Sequence, residues 1–187
     1  DAAPASVSDA APLPALHLSQ DAALATVSGQ DFTATFDKRA GILSSLKFKG
    51  VELVQSPLRP DFWRAPTDND RGRKMAESQG IWRTAHADAE TRSFQAEESE
   101  ASVVVKISSR LPKVEADWTT AYTVHRTGDI VVDVEFAPAT AKLPKLPRLG
   151  LQMVMPAGFD RITWLGPGPQ ETYCDRKDAR VGLYSGS

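Results

Sequence analysis

One cysteine and three histidines are the whole stock of soft metal ligands in this 187-residue chain, and they are scattered: Cys174, His17, His86 and His125. A lone cysteine closes no internal disulfide and builds no thiolate zinc site. Charge of one sign is equally scarce. The formal net charge of −2 speaks against nucleic acid or an anionic membrane surface as partner. No apolar run approaches the roughly 18–20 residues that span a bilayer, so no membrane partner is expected. There is no G-x-S-x-G, no phosphate-cradling glycine loop and no alternation of strand and helix, which removes the nucleophile-elbow, P-loop and doubly wound readings. The opening "DAAPASVSDA APLPA" has neither a basic n-region nor an apolar h-region, so it is not read as a signal peptide. Residues 1–14 read as a disordered Ala/Pro/Ser linker, and the chain as a soluble piece of a longer polypeptide, cytoplasmic or periplasmic.

What is there is period two. Alternating runs around residues 22–28 and 31–38 flank Gly29 and Gln30, with Phe32, Ala34 and Phe36 on one face. "DKRAG" (37–41) has turn chemistry and leads into "ILSSLKFKG" (42–50) and a short strand over 51–54. Further runs are "SVVVKISSR" (102–110), "DWTTAYTVHR" (117–126) and "DIVVDVEFA" (129–137), the last two joined at "RTGD" with Gly128 at positive φ. "LPRLGLQMVMP" (146–156) and "DRITWLG" (160–166) are read as another pair around "AGF". Val103, Val105 and Ile107 share an apolar face, and "SVVVKIS" and "DIVVDVEFA" are the runs expected to recruit another chain at an open sheet edge. Roughly eight strands and one short helix point to an all-β antiparallel sandwich.

Residues 55–95 break that rhythm. Three prolines in "QSPLRPDFWRAP" argue against a central strand. "RKMAESQGIW" (73–82) suggests two helical turns stopped at Gly80. "DFWRAPTDNDRG" (61–72) is crowded with charge. Asp68, Asn69 and Asp70 carry oxygen ligands, but contiguous spacing fails the calcium-loop pattern, so backbone bonding with Arg64 or Arg71 as ion-pair partner is expected, and no metal. The second dense stretch, "TWLGPGPQETYCDRK" (163–177), sets Gly168 between two prolines and brings the rings of Trp164 and Tyr173, suited to a sandwich edge or to a sugar face. Glu171 and Asp175 sit beside Arg176 and Lys177, cations that keep a carboxylate ionised, so they are not read as a catalytic pair.

Taken together, "DFWRAPTDNDRG" and "WLGPGPQETYCDRK", with "LPRLGLQM" just before the second, resemble the paired signatures of the C-terminal β-sandwich (small-chain) domain of glycoside hydrolase family 2 β-galactosidases, over about residues 15–187. The resemblance implies a galactose mutarotase-like antiparallel supersandwich, present here as its first two-thirds, that packs against a catalytic (β/α)8 barrel and walls the galactoside site. It also implies that both catalytic glutamates and the magnesium ligands lie in that barrel, leaving no catalytic residue and no cofactor in this chain. A mobile loop near the active site follows a Trp in the family. After Trp82 that places Ala85, His86, Ala87 and Asp88 nearest the substrate in a loop reaching to Arg92, with His86 where a glycine is expected. Homo-oligomerisation is left open. The competing readings are a freestanding carbohydrate-binding sandwich displaying some of Trp63, Trp82, Trp118 and Trp164, and a mutarotase-like epimerase using His125 with Glu135.

Overall fold

In a computed structural model the described residues are 15–170, 172 and 176–187. The linker reading of residues 1–14 and the positions Glu171, Tyr173, Cys174 and Asp175 lie outside them. The chain forms two compact units, the first ending at Val154 and the second running from Met155 to Ser187.

The first unit is an all-β sandwich. One sheet is a five-stranded antiparallel meander of β1 (His17–Gln20), β2 (Leu24–Ser28), β3 (Phe32–Asp37), β4 (Ile42–Phe48) and β5 (Val51–Glu52). The β3–β4 turn closes where the Asp37 carbonyl accepts from the Gly41 N–H at 2.9 Å and the Asp37 carboxylate accepts from the Ala40 N–H at 2.8 Å. Gly41 takes φ +65° there, with Thr91 packed where a Cβ would stand.

The other sheet orders β10 (Ile130–Pro138), β9 (Ala116–His125), β8 (Ser102–Leu111) and β7 (Glu90–Glu98), all antiparallel. Its β9–β10 turn uses Gly128 at φ +91°. The two sheets are joined by one core in which Ala25, Val27, Ala34, Phe36 and Leu43 meet Val103, Val105, Ile107, Tyr122 and Val124. The alternation that marks these strands is therefore the inward face of each sheet. Phe36 and Tyr122 meet edge to face across the sheets at 5.2 Å.

Several expectations need correction. Val103, Val105 and Ile107 do share a face, but it is the core face, and β8 is flanked on both sides, so only β10 of the two proposed runs is a sheet edge. His17 opens β1, with Leu16 and Leu18 on either side of it packed on the core. The irregular stretch 55–95 contains two strands. The first, β6 (Ser56–Asp61), has its described ladder with a single strand, β11 (Gly150–Val154), an arrangement that tolerates Pro57 and Pro60 without their N–H donors. The second is β7, at the edge of the four-stranded sheet.

The helix expected over 73–82 is cut short. A single turn, α2 (Met75–Ser78), is followed by a 3-10 turn over Gly80–Thr84, so Gly80 starts a turn instead of stopping a helix. Nor do 146–156 and 160–166 pair with each other. β11 pairs with β6, about ninety residues earlier, and in the second unit β12 (Ile162–Gly168) pairs with β13 (Arg180–Gly186).

Candidate functional site

The first dense motif folds upward from its backbone. Asp68–Gly72 is one helical turn, α1, not a loop. Thr67 caps it: its hydroxyl accepts from the Asp70 N–H at 3.3 Å, and the Asp70 carboxylate accepts from the Thr67 N–H at 2.8 Å. This reciprocal box satisfies the free donors of the first turn. Arg64 then grips Asp70 with both terminal nitrogens, at 2.5 and 3.0 Å, while its Nε donates to the Pro147 carbonyl at 3.3 Å. The hydrogen bonds from Arg64 first, and then from the Thr67 backbone, hold the Asp70 carboxyl far below the usual carboxylate range. Arg71 pairs with Asp68 at 2.8 Å on the exposed side. Arg64 and Arg71 thus each pair with an aspartate of the same motif, and Arg64 also reaches, through its Nε, to a distant segment.

That distant segment, 143–148, is held at three points. Besides Arg64, the Trp82 indole N–H donates to the Pro144 carbonyl at 3.2 Å, and Asp61 pairs with Arg148 at 3.3 Å. Beneath the clasp lies a second core in which Phe62 touches three rings, Trp82, Trp118 and Phe136, at centroid distances of 5.5, 5.6 and 5.3 Å. Trp82 and Trp118 are thus core residues, 2% and 4% exposed, and not sugar platforms. Trp63 is half-buried and carries the Arg83 guanidinium over its ring at 4.6 Å. The clasp's partners could not be named from the sequence, since Asp61 and Arg148 are far apart in it and no local pattern links them.

Ala85–Asp88 form a turn directly after the 3-10 segment, while Glu90, Thr91 and Arg92 belong to β7. The turn is anchored. Ala85 is fully buried in the second core, and Lys113 pairs with Asp88 at 2.9 Å while donating to the Thr84 carbonyl at 3.4 Å. Among the described residues, positive φ outside glycine is confined to Lys49, Lys74 and Glu115, so His86 sits where no glycine is needed. Its Nδ1 is buried without a hydrogen-bond partner. Burial first, and then the Arg59 charge, hold the imidazole below its ordinary pKa, with Asp61 pulling the other way.

His86 and Ala87 border a cleft of about 440 Å³ that runs from the β3–β4 turn, along β6, to the inner face of β8 and β9. Its floor includes Tyr122, whose phenol burial pushes up to about 12, and Thr120, whose hydroxyl accepts from the Trp118 indole at 2.9 Å.

In the second unit the Trp164 indole donates to the Pro167 carbonyl at 3.2 Å, and its ring lies 5.5 Å from Tyr184. A Cβ on Gly168 would stand 2.8 Å from the Tyr184 ring, so this close approach requires glycine. Arg176 is exposed. His125 and Glu135 do not meet: Glu135 lies opposite Thr119, six positions along β9 from His125, or about 20 Å at strand spacing. Among the described residues no group of three or more His, Cys, Asp or Glu is placed to hold a metal ion, and Asp68 and Asp70 are each engaged with arginine. Among the described residues no helix is long and apolar enough to cross a membrane.

Comparison with known proteins adds the family. Residues 28–187 match the family described as "Beta galactosidase small chain". The chain is similar to the β-galactosidase of Priestia megaterium, with 37% identity over 175 residues, 93% of this chain and 17% of that protein. It is also similar to those of Clostridium acetobutylicum, at 33% over 160 residues (84% and 18%), and of Lactobacillus delbrueckii subsp. bulgaricus, at 34% over 163 residues (86% and 16%). The chain thus spans less than a fifth of the length of these relatives. With its all-β sandwich and its two signature stretches, the chain belongs to the β-galactosidase small-chain family.

Proposed function

We propose that this chain is a non-catalytic domain of a retaining β-galactosidase, docking on a (β/α)8 barrel and helping to wall the galactoside site with the Ala85–Asp88 turn. The observation that carries the reading is how the carboxylates of the first signature are used. Asp61, Asp68 and Asp70 are all engaged by arginines, and Asp70 is held strongly ionised. Glycoside hydrolysis needs two carboxyls across one sugar, one of them poised to give up a proton. These three instead hold the end of β6 and the α1 turn in place. The family resemblance, rather than any contact in this chain, is the ground for assigning magnesium and both catalytic glutamates to the barrel. A freestanding sugar-binding sandwich is disfavoured by the burial of Trp82 and Trp118, and an epimerase by the separation of His125 from Glu135.

The test is turnover of a chromogenic β-galactoside. The chain alone is expected to give background hydrolysis, while the full polypeptide with its barrel turns over. Robust hydrolysis by the chain alone that disappears on Glu171→Gln would sink the proposal.

A further inference from the structure

The cleft beside the Ala85–Asp88 turn has a chemistry that galactoside walling does not use. Its volume of about 440 Å³ suits a small organic ligand. Aliphatic and aromatic side chains, Leu58, Leu151 and Trp118 among them, share its walls with a comparable polar surface. Among the described residues the lining holds no Asp, Glu, Asn or Gln, the planar groups that pair with the vicinal hydroxyls of a sugar. What it does hold is a cation. Arg59 projects from β6 at the cleft and makes no ion pair or hydrogen bond among the described residues. The neighbouring charges are already committed, Asp61 to Arg148 and Asp88 to Lys113. The hydroxyls of Tyr122 and Ser109 have no hydrogen-bond partner among the described residues either, and the Thr120 hydroxyl, having accepted from Trp118, still has a proton to donate.

We propose that this cleft binds a small amphipathic carboxylate, its apolar body against Leu58 and Leu151 and its carboxylate paired with Arg59. Apolar walls supply affinity without direction, and a guanidinium supplies a planar double donor that matches a carboxylate and not an amide or an alcohol. Removing the charge from the ligand and removing it from the protein should therefore have the same effect. The inference stands apart from the assignment to a β-galactosidase, since it needs no barrel and no galactoside.

Isothermal titration of the chain with phenylacetate, its neutral analogue phenylacetamide, and galactose tests it. Phenylacetate is expected to bind saturably with one site in the millimolar range or tighter, the amide about tenfold more weakly, as loss of a charge-assisted pair implies, and galactose not at all. Arg59→Gln should bring the acid down to the level of the amide. Ala87→Trp, which fills the mouth from an exposed position, should abolish binding of both with an unchanged circular dichroism spectrum. Equal affinity for acid and amide, indifference to Arg59→Gln, preference for galactose, or no saturable heat with phenylacetate would overturn the proposal.

Discussion

Truncating Phe62 to alanine tests whether the first signature is a keystone or a decorated loop. The ring is fully buried and meets Trp82, Trp118 and Phe136 at once. Removal of a buried phenylalanine ring costs about 3–5 kcal/mol, part transfer and part cavity. Three aromatic partners, each contributing about 0.5–1.5 kcal/mol beyond area, put this site at the upper end. Phe62→Ala should therefore lose about 4–5 kcal/mol, a large share of the roughly 5–15 kcal/mol available to a domain. Phe62→Leu keeps the apolar volume and forfeits the ring geometry, so it should lose only about 1–2 kcal/mol. The assay is urea unfolding followed by tryptophan fluorescence, for which Trp82 and Trp118 are built-in reporters. A midpoint shift at constant slope reads as stability. A loss below about 1 kcal/mol for Phe62→Ala would refute the reasoning, because a ring in that position cannot be that cheap to remove.

Three further tests probe single groups. The Asp70 carboxyl has its pKa lowered on folding, so its stabilisation is present above the unfolded value of 3.8 and is lost as pH falls through the lower folded value. Melting temperature between pH 5 and 2 should fall less steeply in Asp70→Asn than in the parent, and parallel curves would dismiss the linkage. His86 is depressed too, so its neutral form is favoured in the fold and stability declines as pH drops below the ordinary 6.5 towards the lower folded value. His86→Gln should flatten the melting profile between pH 7.5 and 5, and an unchanged slope would place the titration elsewhere. Gly41→Ala, at φ +65° with Thr91 Oγ1 at 2.4 Å from the added Cβ, should cost more than about 1 kcal/mol in the same urea assay; a neutral effect would mean the turn relaxes freely.

Sequence was most legible where one face of a strand is buried and the partner is next in the chain. Phe32, Ala34 and Phe36, or Val103, Val105 and Ile107, announce both strand and face. The edge strand β7 offers only Phe94 and Ala96 to the core, half-buried among charged neighbours, so its alternation is faint. β6 hides behind two prolines that its short ladder accommodates. The pairing of β6 with β11 has no local sign at all, and reading "LGLQM" as half of a hairpin with the next run followed the nearest-neighbour habit of meanders. For the site, the charges of "TDNDRG" promised internal pairing, but the reach of Arg64 to Pro147 depends on packing between elements that share no turn. The cleft is legible only as a product of several elements that are far apart in the chain.

The clasp between the first signature and 143–148 also bears on the order of assembly. The Arg64–Pro147 hydrogen bond joins residues 83 positions apart, and the Trp82–Pro144 bond joins residues 62 apart. Closing such spans in an unstructured chain costs entropy that grows with the logarithm of length. The intervening meander from β7 to β10 consists of neighbouring antiparallel pairs, which need only short closures. A chain that folds the meander first has consumed most of the span before the clasp engages, so the clasp belongs to the late, native side of the folding barrier. Weakening it at Arg64 would then accelerate unfolding while leaving the folding rate nearly unchanged. The most crowded dozen residues in the sequence thus act as a latch on the kinetic lifetime of the domain, closed after the sheets are already in place.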